Sequence, residues 1–166
     1  MTANAAFDAA LAAGVIDTAT GIPRSREEMF EYYDFIRKQA KDAESKEGEG
    51  GLEFPAGYMF KDPVYIEAEE LGDDPVKFLL AEMDRWGITK VITNVDDDTG
   101  HGARAVREHP DRFAAGIGVD PNTGMEAVRR IQRIADEFDL KSVGAFPAGL
   151  YPQVALNDKK FFPIYM

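Results

Sequence analysis

Apolar residues change their spacing along this chain. Up to about residue 73 the pattern is broken; from residue 74 helical stripes alternate with short, continuously apolar runs. Val15-Ile16-Asp17 is a short apolar run closed by polar residues, and it predicts a buried strand. Ser25 and Glu28 form a capping box. Behind it Met29, Tyr32, Tyr33, Ile36 and Ala40 fall at helical spacing and predict a helix from about 26 to 44. The charged, glycine-rich stretch 46–51 ends it. Residues 52–73 keep no period and are punctuated by Pro55, Gly57, Pro63 and Gly72, which predicts a long irregular excursion of the kind that often serves as a lid.

Asp74 caps the next helix and Pro75 takes its first position. Its stripe is Val76, Leu79, Leu80 and Met83, and Gly87 stops it. A strand over Lys90–Val95, a short helix over 100–108 and a strand over Arg112–Val119 follow. Asn122 or Thr123 caps a helix to about Phe138, with Ala127, Val128, Ile131, Ile134, Ala135 and Phe138 on its apolar stripe. Ser142–Phe146 reads as a further strand.

Strands that alternate with helices mean an α/β fold. Short, wholly apolar strands suit a parallel sheet covered on both faces. Two architectures fit: the N-terminal part, about four β/α units, of a (β/α)8 TIM barrel, or an open doubly wound parallel sheet. The domain plan is a tail or short helix over 1–13 and a partial barrel over 14–166, with a helical and irregular insertion at about 24–73. Asn157 reads as a cap for a last helix that stops within about two turns on apolar residues without a closing signal. The expectation is a chain cut within a larger fold; the alternative is a short terminal helix tucked against the sheet.

Composition narrows the function. Thirty acidic residues stand against 19 basic ones, a formal net charge of -11, and no basic cluster occurs. Phosphate backbones are held by clustered Lys and Arg, so nucleic acid is excluded as a partner, and an anionic membrane surface with it. A small-molecule substrate or a protein partner remains. Cysteine is absent, which removes disulfides, thiolate metal sites and a cysteine nucleophile. No apolar run approaches the roughly 20 residues that span a bilayer. The first basic residue is Arg24, so the chain lacks the positive start of a secretory signal and the cytoplasm is expected.

Three stretches together resemble the metal-dependent amidohydrolase family 2, TIM-barrel enzymes related to the aminocarboxymuconate-semialdehyde decarboxylases. Leu80 to Ile92 (LAEMDRWGITKVI) is similar to the family's helix leading into the second barrel strand. Glu108-His109-Pro110-Asp111-Arg112-Phe113, followed by Gly116, resembles the HPDRF element before the third strand. Val143 to Pro147 (VGAFP), with Leu156-Asn157-Asp158 and Phe161 to Tyr165 (FFPIY), resembles the fourth strand and the start of the next helix. The resemblance implies an N-terminal half-barrel whose parent enzymes hydrolyse or decarboxylate a small carboxylated or cyclic substrate with a divalent metal, zinc or similar. The family's first strand normally ends in Asp-x-His-x-His. Here the positions read Asp17-Thr18-Ala19-Thr20-Gly21, and neither Ala19 nor Gly21 can ligate a metal. No cofactor is therefore expected on this chain, which alone should be inactive.

Catalytic groups of a barrel project from the C-terminal ends of its strands. The candidates there are Asp17, Asn94, Asp96 and His101, with Thr20, Asp120, Phe146 and Pro147 lining a substrate pocket. Asp17 suits a ligand or general base, or else a carboxylate that bonds its own loop. Asn94, Asp96, Asp97 and Asp98 suit a hard cation such as Mg²⁺, or else a solvated turn at a helix N-terminus. His109, at a helix end, reads as structural; His101 follows Thr99-Gly100 near a strand end and either faces the pocket or sits in the loop. Three functions are weighed. The first is a fragment or shortened relative of an amidohydrolase-family enzyme. The second is a non-catalytic half-barrel acting through a partner chain or a homo-oligomer built on an exposed sheet edge. The third is a flavodoxin-like sheet whose acidic cluster binds Mg²⁺.

Overall fold

A computed structural model describes residues 14–32, 65–146 and 150–166. The chain divides into two compact units, Met1–Ile22 with Leu79–Met166, and Pro23–Phe78. Each is taken by itself.

The larger unit is one parallel sheet in the order β1-β2-β3-β4, with β1 at Val15–Asp17, β2 at Ile88–Asn94, β3 at Phe113–Gly118 and β4 at Leu140–Gly144. Sequential order decides between the two architectures. A doubly wound sheet reverses its strand order at a switch point, whereas a barrel adds each strand beside the last. No reversal occurs among these four, and the sheet curls as half of a (β/α)8 barrel.

Helices α4 (His101–Glu108) and α5 (Met125–Glu137) connect the later strands. Along β3 the alternate residues Phe113, Ala115 and Ile117 are buried, and they join Val95, Val119, Ala127 and Phe138 in or beside one apolar layer. Ile131, Ile134 and Leu140 pack against it. Full burial of such side chains contributes about 1.5–3 kcal/mol each. The other alternate set lines the opposite face, which in a closed barrel is the interior. There Gly116 lies between Ile92 and Ser142, and a Cβ on it would meet Ile92 Cγ2 at 2.9 Å.

Helix α4 packs hard on the end of β2. A Cβ on Gly102 would stand 1.8 Å from the Asn94 carbonyl oxygen, so only glycine admits this approach. The His109 backbone N–H donates to the Ala105 carbonyl at 2.9 Å, and the His109 carbonyl accepts from Arg112 and Phe113 N–H, both at 2.9 Å. Its ring lies 6.4 Å from that of Phe113. His109 is thus the hinge between helix and strand. Arg112 fastens the start of β3: its Nη2 donates to Asp84 Oδ1 at 2.8 Å and to the Ile88 carbonyl at 3.2 Å.

The smaller unit holds α1 (Arg26–Tyr32) and the short α2 (Ala68–Leu71). Both arms of the expected capping box are present, with Ser25 N–H donating to Glu28 Oε2 at 2.8 Å and Glu28 N–H to Ser25 Oγ at 3.3 Å. The Arg26 guanidinium sits 5.0 Å from the Tyr65 ring centre. α3 (Pro75–Trp86) begins in this unit's sequence and ends in the larger one. Asp74 caps it, accepting from Val76 N–H at 3.1 Å.

Several boundaries differ from expectation. β1 is not buried: it is an edge strand, and Ile16 is 60% exposed. β2 starts two residues early because the turn at Gly87, φ +67°, hands the chain directly to Ile88. β4 likewise starts at Leu140, not Ser142. Asn122 and Thr123 do not cap α5; they lie in a 3-10 turn, Pro121–Thr123, capped by Asp120, and Gly124 precedes the helix. Ala135 faces solvent, off the expected stripe. The terminal turn is capped by Asp158, not Asn157, and passes through a 3-10 turn at Lys159–Phe161 into α6 (Phe162–Tyr165). The excursion at 52–73 contains the regular turn α2. The expected helix residues Tyr33, Ile36 and Ala40, the tail 1–13, and most of the excursion lie outside the described residues.

Candidate functional site at the C-terminal ends of the strands

Asp17 closes β1. Its Oδ1 accepts from the Ala19 N–H at 2.8 Å, and its Oδ2 accepts from the Thr20 hydroxyl. These bonds, the Thr20 hydroxyl first and the Ala19 amide second, stabilise the charged form and hold the carboxyl below its ordinary value. A group so held is a poor general base near neutrality. Thr20 is half-buried and spent on Asp17, while Ala19 and Gly21 present no ligand atom.

The loop after β2 carries the densest chemistry. The Asn94 side-chain oxygen accepts from Asp96 N–H at 3.0 Å. Asp96 forms an ion pair with Arg130 of α5. Asp97 Oδ2 accepts from the Thr99 hydroxyl at 3.1 Å and from Gly102 N–H at 3.2 Å, which places a carboxylate at the start of α4. Its Oδ1 is buried without a hydrogen-bond partner. His101 is half-buried and donates its backbone N–H to Thr99 Oγ1 at 3.2 Å. Asp96 and Asp97 therefore turn to different partners, a cation in one case and a helix terminus in the other. Among the described residues no group of three or more His, Asp or Glu could hold a metal ion.

After β3, Asp120 accepts from Asn122 N–H at 2.8 Å. Asn122, read from the sequence only as a helix cap, has a second part that the sequence did not announce. Its Nδ2 donates to the Pro152 carbonyl at 2.9 Å and its Oδ1 accepts from Lys160 Nζ at 2.7 Å. It ties the β3 loop to the segment after β4 and to the terminal turn. No local pattern announces a contact across 30 and 38 positions. Phe146 follows β4 and is 71% exposed; Pro147 lies outside the described residues.

The candidates thus occupy the ends of all four strands, one loop beside the next. Asp17 with Thr20, and Asn94 with Asp96, each bond within their own loop. A separate open cavity of about 340 Å³ lies at the opposite, N-terminal ends of β2 and β3, lined by Met83, Asp84, Ile88, Thr89 and Arg112. Arg112 is already tied to Asp84 there, and in barrels that end carries stability, not catalysis.

No protein-family model matches the chain, and no curated protein matches it. Among solved structures, it is similar to a 5-carboxyvanillate decarboxylase from Novosphingobium aromaticivorans, a point mutant with bound manganese and 3-methoxy-4-hydroxy-5-nitrobenzoic acid. The TM-score is 0.54 at 21% identity, over 92% of this chain and 47% of that one. The chain therefore spans about half the length of the structure it matches, and at this identity the likeness speaks for the fold.

Proposed function

We propose that this chain supplies the first half of an amidohydrolase-type barrel acting on a small carboxylated ring by decarboxylation, with hydrolysis of a cyclic substrate as the related reaction. The observation that carries this reading is the likeness to a decarboxylase with an aromatic acid bound. The residue pattern Glu108 to Phe113 and the net charge of -11, which disfavours polyanionic partners, point the same way. Among the described residues no helix is long and apolar enough to cross a membrane, and the cytoplasm is the setting we propose.

The chain's own part is binding. Asp120 with Asn122 fixes the loop after β3, Asp17 holds Thr20 in place, and Phe146 offers an exposed ring for a planar substrate to stack on. Manganese is bound in the similar structure, but the residues here do not fit a metal: Asp17 is turned onto its own loop, and alanine and glycine follow it. No step is routed through one.

NMR titration of the chain with carboxylated phenols tests the reading. Shifts should cluster at Thr20, Asp120 and Phe146. Saturating ligand without shifts at those loops would sink it.

The missing ligands favour a second reading, a half-barrel without catalysis. The titration decides between them, since shifts at those loops favour the first reading and their absence the second. On either reading no metal should remain after incubation with Mn²⁺ or Zn²⁺ and desalting, and metal near one equivalent would overturn the statement that these residues do not fit one.

A further inference from the structure

A small carboxylated ring brings a negative charge to a chain whose formal net charge is already -11. The summed field of such a chain repels anions, so a carboxylate needs a cation where it lands. The inference below rests on the reading of a carboxylated ligand and adds to it the group that receives the charge.

Arg130 and Lys160 each bond to a loop at the C-terminal ends of the strands. Their partners differ in charge. Arg130 reaches the loop after β2 and is neutralised there by the Asp96 carboxylate. Lys160, on the segment after β4, reaches the loop after β3, where its Nζ donates to Asn122 Oδ1 at 2.7 Å. An amide oxygen orients an ammonium without cancelling its charge. Among the described residues this is the one bond the Lys160 ammonium makes. An ammonium carries more donors than that bond uses, and Lys160 is exposed, so the remaining N–H groups are open to a ligand.

The anchor is itself fixed. Asn122 N–H donates to Asp120 Oδ1 at 2.8 Å, and Asn122 Nδ2 donates to the Pro152 carbonyl at 2.9 Å. The other end of the lysine is held too: its backbone N–H donates to Asp158 Oδ1 at 2.9 Å, and the next residue, Phe161, is buried. A flexible stem pinned at both ends has less rotamer freedom left to lose when it grips a ligand. Lys159, one position earlier, is exposed as well, but among the described residues no such tie holds its side chain.

We propose that the Lys160 ammonium, positioned by Asn122, receives the carboxylate of the ligand. One N–H stays on the amide oxygen, and a second makes a charge-assisted hydrogen bond to the carboxylate.

The test uses 3-methoxy-4-hydroxybenzoate and its carboxamide, the same ring without the carboxylate charge. Both are titrated by NMR into the parent and the variants Lys160→Met, Lys160→Arg and Lys159→Met. Lys160→Met keeps the stem and removes the charge at an exposed position, so the melting temperature should hold. It should bind the acid about fivefold more weakly, the upper end of what an exposed ion pair supplies, and the carboxamide as the parent does. Lys160→Arg and Lys159→Met should both keep the parent's affinity for the acid. Asn122→Ala should weaken the acid in the parent but not in the Lys160→Met background; an equal loss in both overturns the part given to Asn122. An equal loss of acid and carboxamide in Lys160→Met overturns the proposal, because shape and not charge would then be at work. So does an equal loss of acid in Lys159→Met, which would mean that net charge alone matters. If the acid shifts Thr20, Asp120 and Phe146 and binds Lys160→Met as tightly as the parent, this inference fails and the reading of a carboxylated ligand stands. If the acid shifts none of those loops in the parent, that reading fails and the inference falls with it.

Discussion

The two middle strands and the two outer ones are built from similar residues and come to opposite ends. β2 and β3 bury their outward faces under helices: Val91 is 0% and Phe113 1% exposed. β1 and β4 carry Ile16 and Val143 into solvent, at 60% and 41%. All four sequences read as buried strands. The difference lies in neighbours. A middle strand has a strand on each side and a helix above it, whereas an outer strand has one paired side among the described residues. Burial of apolar side chains is therefore concentrated in the β2–β3 centre.

Mutations can break or sharpen that contrast. The largest effect belongs at the centre. Phe113→Ala should cost about 3–5 kcal/mol through lost transfer energy and the cavity left behind, read as a lower urea midpoint with the slope unchanged. Gly102→Ala drives a methyl into the Asn94 carbonyl and should cost about 3 kcal/mol, since backbone cannot swing aside as a side chain can. A midpoint unchanged by it would mean α4 does not sit on β2 as described. Thr93→Val should have the opposite sign. Thr93 is 2% exposed and its hydroxyl has no hydrogen-bond partner, so removing it should add about 1 kcal/mol and raise the melting temperature by about 2–4 °C for a chain of this size.

The smallest effect belongs at the edge. Asp17→Asn should cost under about 1 kcal/mol at neutral pH. Because the folded carboxyl titrates below its unfolded value, its contribution is complete above the ordinary carboxylate range and fades as pH falls through the depressed folded value. Denaturation curves of the parent and variant should therefore converge in acid. A constant gap across pH would mean that Asp17 acts through shape and not charge.

What the sequence made legible was set by range. Caps and stripes act over three or four residues, so Ser25 with Glu28, Asp74 ahead of Pro75, and the Val76–Met83 stripe were readable. The alternation that names the α/β class was readable for the same reason. The exposure of β1 was not, because an apolar tripeptide does not say how many strands flank it. Nor was the role of Asp120: both it and Asn122 are good cap residues, and only the 3-10 turn between them decides which one caps. At the candidate site, Asp17 bonding its own loop was foreseen because its partners are two and three residues away. The Arg130–Asp96 pair spans 34 positions, and the Asn122 ties lie similarly far apart, where residue spacing carries no signal. The placing of the pocket-lining residues remains a proposal, with Pro147 outside the described residues.

The order in which the strands meet also has a temporal side. The Arg112 bridge from β3 back to β2 closes 23 residues, while the Thr89 hydroxyl reaches the Val15 carbonyl on β1, at 2.8 Å, across 74. Chain closure over the longer span costs roughly 1 kcal/mol more, at about 0.6 kcal/mol for each doubling, and β1 repays it with a ladder of only three residues. Closed over the longest span by a ladder of three residues, β1 should fray first, and its amides should exchange with deuterium well before those of β3.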